Sequence, residues 1–129
     1  MKTLFTEKHI VGTGIRTNNA TPKAIGQLWE NVMASGLQGD IFAIYHNYES
    51  DFTGDYDLYI GTEVNGANEE GIIIPTGQYV VIVVDASQEN GVFLAWTEIW
   101  QSDIARAYKT DFEYYAQDGT VKIYLSVKE

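Results

Sequence analysis

The order strand, helix, strand, strand occurs twice along this chain, and this repetition limits the possible folds more than any other feature. Thr21-Pro22 supplies an N-cap and a first-turn proline for a helix that ends near Gly36, with apolar residues at helical spacing in Ile25, Leu28, Trp29, Val32 and Met33. The same spacing predicts a second helix through Val92, Trp96, Ile99 and Trp100.

Extended segments flank both predicted helices. They are rich in β-branched and aromatic residues and are bounded by turn-forming residues. Glycines at positions 12 and 14 of the first segment indicate a bulge or a close approach of another backbone. The predicted strands are His9–Arg16, Ile41–Tyr48, Tyr56–Val64, Gln78–Val84, Thr110–Tyr115 and Thr120–Val127.

Landmark residues in the two halves correspond at a nearly constant separation of 65 to 71 residues. Each half is too short to bury a core alone, so we expect the halves to pack together with pseudo-twofold symmetry and to leave a groove between them. The alternative is a chance resemblance between two short α+β segments. The paired landmarks are Leu28-Trp29 with Ile99-Trp100, Tyr48 with Tyr115, and Tyr59 with Tyr124.

The sequence therefore predicts one α+β domain over residues 1–129, built from a duplicated βαββ unit with an antiparallel sheet and two main helices. Repeat one covers about residues 1–66 and repeat two about residues 76–129. The polar segment 65–70 and Pro75-Thr76-Gly77 mark the boundary between them.

The charge balance argues against a nucleic-acid-binding protein. The chain has 18 acidic and 8 basic residues, a formal net charge of −10, and its basic residues are scattered. Binding to a phosphate backbone depends on clustered Lys and Arg, so we expect no direct nucleic-acid binding and instead an affinity for cations, amines or basic protein surfaces.

The chain lacks the residue patterns of metal sites and of membrane-spanning segments. The chain has no cysteine, and His9 and His46 are isolated, so we expect no metal site and no cofactor. The longest apolar run, Tyr79 to Val84, is far shorter than the roughly 20 residues that span a bilayer. With no leader sequence before the first strand, we expect a cytoplasmic protein that does not enter the membrane.

The segment Asp111-Phe112-Glu113-Tyr114-Tyr115 carries the main functional signal. On a strand, Glu113 and Tyr115 share one face with Asp111, while Phe112 and Tyr114 occupy the other. A carboxylate buried among aromatic rings gains from a cationic partner, which predicts a receptor for organic cations. The alternative is an exposed glutamate on an edge strand.

Aromatic residues elsewhere extend this signal. The nine tyrosines include several that lie on elements able to meet at the repeat interface, among them Tyr45, Tyr48 and Tyr59. Trp96 and Trp100 fit either a core or the edge of a pocket. Glu98, between them, is a second acidic candidate, although the helical period turns it away from both tryptophans and favours a solvated position.

These residues resemble the GyrI-like effector-binding domains, which also form the C-terminal parts of AraC-type and MerR-type multidrug-responsive transcription activators. The similarity runs through nearly the whole chain and looks closest to the stand-alone integron-cassette proteins that bind cationic drugs. It is carried by Ile25-x-x-Leu28-Trp29, Ile44-Tyr45-x-x-Tyr48, Tyr56-Asp57-Leu58-x-Ile60-Gly61, Ile74-Pro75-x-Gly77-x-Tyr79, Trp96-x-x-Ile99-Trp100, Asp111-Phe112-Glu113-x-Tyr115 and Val121-x-Ile123-Tyr124.

The resemblance implies two SHS2-like βαββ repeats, a ligand groove between them and Glu113 as the anchor for a lipophilic cation. The chain departs from the transcription activators in one respect: Met1 lies only a few residues before the first strand, so we expect no attached DNA-binding domain and no direct transcriptional activation. The candidate ligand-binding residues are Glu113, Tyr115, Tyr45, Tyr48, Trp96, Trp100, Glu98 and Tyr59.

Two other functions stay open at this point. Some GyrI-like relatives resemble hydrolases of electrophilic natural products, in which Glu113 would activate a water molecule. The acidic surface also suits a protein-interaction module that docks a basic partner. The sequence leaves open the natural ligand, the regulatory output and the choice between monomer and homodimer.

Overall fold

A computed structural model of the chain describes residues 2–36, 39–51, 53–64, 71–85, 87–88 and 90–128. Over these residues the chain forms two helices and one antiparallel sheet of eight strands, which is an α+β fold. The elements are β1 Lys2–Phe5, β2 Lys8–Thr17, α1 Pro22–Ala34, β3 Ile41–His46, β4 Tyr56–Val64, β5 Ile72–Ile74, β6 Gly77–Val84, α2 Gly91–Gln101, β7 Thr110–Tyr115 and β8 Val121–Ser126.

The strands are ordered β1-β6-β8-β7-β3-β4-β2-β5 across the sheet. Strands β3 and β7 form the central pair, in which Ala43 lies opposite Glu113 and Tyr45 lies opposite Asp111. Because β7 also pairs with β8, Glu113 is on an interior strand, and the edge-strand alternative for this residue is wrong.

Both helices pack on the same face of the sheet. Leu28 and Val32 of α1 cover Ala43, Tyr56, Leu58 and Ile60, whereas Ala95, Trp96 and Ile99 of α2 cover Val84, Ile123 and Leu125. The opposite face carries a third cluster that includes Ile10, Phe42, Ile44, Ile74, Tyr79 and Phe112. The alternation predicted for β7 is confirmed, since Phe112 joins this third cluster while Glu113 lies under the helices.

The predicted elements agree with the observed ones apart from two short strands and one strand end. Strands β1 and β5 were not expected, because they are four and three residues long and exist by pairing with the outer edges of β6 and β2. Strand β3 ends at His46 instead of Tyr48 because Asn47 has a positive φ of 51°. The predicted polar boundary at 65–70 lies outside the described residues.

The glycine at position 12 marks a close approach of two backbones, as its place in β2 predicted. A Cβ atom there would lie 1.9 Å from the carbonyl oxygen of Ile60 on the neighbouring strand β4. Among the described residues, no helix is long and apolar enough to cross a membrane.

Candidate functional site

A cleft of about 500 Å³ lies between the two helices, above the central strands β3 and β7. Ile25 and Trp29 of α1 form one wall, and the first turns of α2, from Gly91 to Trp96, form the other. The floor of the cleft is formed by Tyr45, Glu113 and Tyr115. The helices are held on the sheet by their own apolar clusters, so the space between them remains as a cleft.

Glu113 lies at the floor of this cleft and is only 2% exposed. Its Oε2 accepts hydrogen bonds from the Tyr45 hydroxyl at 2.9 Å and from Trp96 Nε1 at 2.5 Å. Its Oε1 accepts one from the Tyr115 hydroxyl at 2.6 Å. Three neutral donors thus orient the carboxylate, and Oε1 retains the capacity to accept a second hydrogen bond.

The electrostatics of Glu113 reflect this setting. Burial raises the pKa of its carboxyl above the usual range, while the hydrogen bonds from Tyr115, Trp96 and Tyr45 act in the opposite direction. Burial and the neighbouring Glu113 also raise the pKa of Tyr45 and of Tyr115, so both phenols remain protonated donors. None of the ion pairs formed by described residues includes Glu113.

Aromatic rings surround this carboxylate. Tyr45 and Trp96 meet edge to face with their ring centroids 5.4 Å apart, and Trp29 and Tyr115 do so at 5.1 Å. Tyr56 packs against Tyr45 at 5.3 Å. Such walls present both ring faces and ring edges to the cleft, which suits a flat or aromatic ligand.

A smaller side chamber of about 110 Å³ adjoins the cleft and shares the residues Ile25, Tyr45, Phe93 and Trp96 with it. Its remaining lining is Asn19, Tyr48, Tyr56, Trp100 and Arg106.

An ion pair lies at the side chamber. Arg106 Nη2 donates to Asp111 Oδ2 at 2.8 Å, and the Tyr48 hydroxyl donates to the same oxygen at 2.6 Å. The backbone N–H and the hydroxyl of Ser126 both donate to Asp111 Oδ1. Asp111 shares a strand face with Glu113, but Arg106 balances its charge and each of its oxygens accepts two hydrogen bonds.

Comparison with known proteins places this architecture in a family. The family model Cass2, described as integron-associated effector binding protein, matches residues 5–127. The chain belongs to this family. The resemblance seen in the sequence is thereby confirmed, including its closeness to integron-cassette proteins.

Relatives and structural neighbours match nearly the whole chain. The integron cassette protein VCH_CASS2, from the mobile metagenome of Vibrio cholerae, has a crystal structure that matches with a TM-score of 0.81 and 29% identity, covering 99% of this chain and 95% of that one. YobU of Bacillus subtilis (strain 168), named as a candidate transcriptional regulator, is 30% identical over 95% of this chain and 93% of its own length.

A more distant neighbour was solved with a bound cation. SAV2435 bound to tetraphenylphosphonium matches with a TM-score of 0.71 and 14% identity, covering 99% of this chain and 93% of that chain. At this identity the match concerns the fold alone.

The structure brings most of the predicted site residues of this effector-binding family member together. Glu113, Tyr115, Tyr45 and Trp96 line the cleft. Tyr48 and Trp100 line the side chamber instead.

Two predicted site residues lie elsewhere. Glu98 is exposed on α2 and borders a separate depression with Ile82 and Leu94. Tyr59 packs on the opposite face of the sheet, where its hydroxyl accepts a hydrogen bond from the Gly12 N–H at 2.8 Å. Neither residue contacts the Glu113 cluster, because the helical period turns Glu98 outward and strand alternation turns Tyr59 to the other face.

Sequence reasoning missed several residues that line the cleft or its side chamber, among them Ile25, Trp29, Phe93 and Arg106. Ile25, Trp29 and Phe93 belong to the helix faces, and Trp29 was assigned to the core only. Helical spacing places Ile25 and Trp29 one turn apart, which was the available signal. Arg106 gave no signal, because it lies between α2 and β7 in an irregular segment that reaches the site through an isolated bridge to Val127.

Proposed function

We propose that this protein binds lipophilic organic cations in the cleft between α1 and α2, with Glu113 as the charged anchor and the surrounding rings as the walls. The observation that carries the proposal is the state of Glu113: a buried carboxylate at the floor of an aromatic cleft, held by three neutral donors and by no cationic side chain among the described ion pairs. Burying an ionised group without a counter-charge is unfavourable, so a bound cation stabilises this arrangement.

The rings supply the second part of the recognition. A ligand cation over an aromatic face gains about 0.5 to 2 kcal/mol, and more of this is realised where water is excluded. Trp29, Tyr45, Trp96 and Tyr115 border the cleft on several sides, so a ligand with large apolar groups contacts rings whichever way it enters. The family's description as effector-binding and the tetraphenylphosphonium bound to SAV2435 both support this class of ligand.

The hydrogen-bond directions favour anchoring over catalysis. Tyr45 and Tyr115 both donate their hydroxyl hydrogens to Glu113, so neither is oriented to protonate a leaving group. The net charge of −10 adds an attractive field for a cation at long range.

We also infer that the two halves arose as a duplicated βαββ unit. The order β6-β8-β7 on one side of the sheet's centre mirrors β2-β4-β3 on the other, which supports a twofold relation between the units β2-α1-β3-β4 and β6-α2-β7-β8. In this arrangement α1 and α2 are equivalent helices, and the cleft lies where the two units meet.

The test uses two ions of nearly equal size and shape but opposite charge, tetraphenylphosphonium and tetraphenylborate. Isothermal titration should show binding of the cation and little or none of the anion, and Glu113→Gln should weaken the cation's binding. Glu98→Gln is the matched control, since it removes the same charge from an exposed position on α2 and should leave the affinity unchanged. Mass spectrometry should recover the ligand intact.

Equal affinity for the two ions, or equal affinity in Glu113→Gln and the unsubstituted protein, would overturn the assignment of Glu113. A changed mass of the recovered ligand would instead indicate turnover.

A further inference from the structure

Arg106, in the side chamber, has more hydrogen-bonding capacity than its ion pair uses. The residue is 5% exposed, and Nη2 donates to Asp111 at 2.8 Å. Its Nε and Nη1 atoms are buried and have no hydrogen-bond acceptor among the described residues. Buried donors are satisfied in nearly all proteins, so two such atoms on one charged group indicate a partner other than the described residues.

The guanidinium is held firmly in place. Its central carbon lies 4.3 Å from the centre of the Tyr108 ring and 5.5 Å from the centre of the Trp96 ring. The backbone on both sides of it is tied to the end of β8 and the residues after it, through Ala107 N to Ser126 O and Lys128 N to Ala105 O. A positioned, stacked guanidinium is a preorganised donor rather than a mobile side chain.

We infer that the side chamber is an acceptor subsite, in which Arg106 Nε and Nη1 donate hydrogen bonds to a neutral oxygen of the bound ligand, such as a ketone or amide carbonyl. This inference rests on the proposed function, because the chamber adjoins the cation-binding cleft through Tyr45, Phe93, Trp96 and Ile25. The chamber's volume of about 110 Å³ suits a small functional group and not a second ligand.

The oxygen is neutral for electrostatic reasons. Asp111 already balances the charge of Arg106, and Glu113 lies on the same face of β7. A ligand carboxylate would therefore approach two carboxylates with only one arginine between them, whereas a carbonyl accepts the same hydrogen bonds without that repulsion.

The spacing along β7 sets the shape of the ligand. Asp111 and Glu113 are next-but-one neighbours on the strand, and such positions are about 7 Å apart. A cation beside Glu113 and an oxygen beside Arg106 are therefore separated by about the same distance. The ligand class is a cation with an apolar body and a carbonyl three or four carbons away from the charge.

The test compares two probes that differ in one group. The first is 4-(trimethylammonio)butyrophenone, with a ketone, and the second is trimethyl(4-phenylbutyl)ammonium, with a methylene in its place. Isothermal titration should show about tenfold tighter binding of the ketone. In Arg106→Lys, which keeps the positive charge for Asp111 but lacks Nε and Nη1, this preference should disappear, whereas Glu98→Gln, at an exposed position on α2, should retain it.

The outcomes separate this inference from the proposed function. Equal binding of ketone and methylene by the unsubstituted protein, as expected if a water molecule satisfies Arg106, overturns the acceptor subsite and leaves cation binding intact. A ketone preference that persists in Arg106→Lys also overturns it. Failure of both probes and of tetraphenylphosphonium to bind overturns the proposed function itself.

Discussion

Replacing Glu113 by Gln should weaken cation binding without weakening the fold. Replacing a buried polar residue usually lowers ligand affinity and stability together, because the residue holds its neighbours in place. Under the proposed function Glu113 differs, because its burial as an ion is unfavourable in the ligand-free protein and a bound cation offsets that cost. Gln has almost the same shape and can still accept hydrogen bonds from the Tyr45 hydroxyl or Trp96 Nε1.

The loss of affinity follows from Coulomb's law. With about 6 Å between the phosphorus of tetraphenylphosphonium and the carboxylate, and an effective dielectric constant of about 20, the attraction is about 3 kcal/mol. Removing it should weaken binding by about 100-fold. The aromatic contacts made by Trp29, Tyr45 and Tyr115 remain, so weak residual binding is expected.

The effect on stability depends on pH, and its sign is fixed by the raised pKa of Glu113. The folded protein holds the Glu113 proton more tightly than the unfolded chain, so the stability present below the unfolded pKa of 4.5 is lost as pH rises through the folded pKa. Gln does not titrate. The stability of Glu113→Gln relative to the unsubstituted protein should therefore increase from pH 4.5 upward and level off above the folded pKa.

Urea unfolding of the ligand-free proteins, followed by tryptophan fluorescence at several pH values, measures this difference. At pH 8 we expect Glu113→Gln to be at least as stable as the unsubstituted protein, and the exposed control Glu98→Gln to be as stable as the unsubstituted protein. A variant less stable by about 2 kcal/mol or more at pH 8 would refute the reasoning, because Glu113 would then act as a structural centre for its three donors.

Four further predictions follow from individual contacts. The affinity for tetraphenylphosphonium should rise with pH through the raised pKa of Glu113 and then level off, since the cation requires the ionised form, whereas Glu113→Gln should show no such rise in titrations from pH 5 to pH 8. Trp96→Phe keeps a ring but removes the Nε1–H donor, whose hydrogen bond lowers the pKa of Glu113. Without that donor more of Glu113 is protonated at low pH, so the loss of affinity should be larger at pH 6 than at pH 8. Equal losses at the two pH values would mean that the ring alone matters. Asp111→Asn leaves the buried Arg106 without its counter-ion and should lower the free energy of unfolding by about 3 to 5 kcal/mol, compared with about 1 kcal/mol or less for Asp57→Asn in the half-exposed pair with Arg16. Gly12→Ala places a methyl group against the Ile60 carbonyl oxygen and should destabilise the protein by about 2 kcal/mol, whereas Gly26→Ala in α1, where the added carbon meets nothing within 4 Å, should stabilise it by about 1 kcal/mol in the same urea assay.

The sequence predicted the parts of the fold that depend on local periodicity. Both helices and the six longer strands follow from spacing and from turn residues, and strand alternation correctly separated Glu113 from Phe112. Strands β1 and β5 were not predicted, because their formation depends on pairing with β6 and β2, which are distant in the sequence. No local pattern in three or four residues encodes such a partner.

In the candidate site, too, the sequence predicted the residues whose positions follow from local periodicity. Glu113 with Tyr115, Tyr45 and Trp96 was expected from the chain, and the structure brings these residues into one cluster. Tyr48 lies beyond the end of β3, after Asn47 with its positive φ, and its hydroxyl donates to Asp111 and not to Glu113. The sequence did not predict Arg106 as a site residue, because its position depends on a tertiary bridge to Val127 and not on helical or strand periodicity.

The contrast between the two carboxylates of β7 supports Glu113 as the anchor of the proposed site. Asp111 and Glu113 share a strand face and are both almost fully buried, at 0% and 2% exposure. Asp111 has an arginine and three further donors, which is the arrangement that stabilises a buried charge within the chain itself. Glu113 has three donors that orient it and no cation in the described ion pairs, and its side chain opens onto the cleft. Arg106 balances the charge of Asp111, whereas no ion pair of the described residues balances Glu113, and we therefore propose that a ligand supplies the positive charge there.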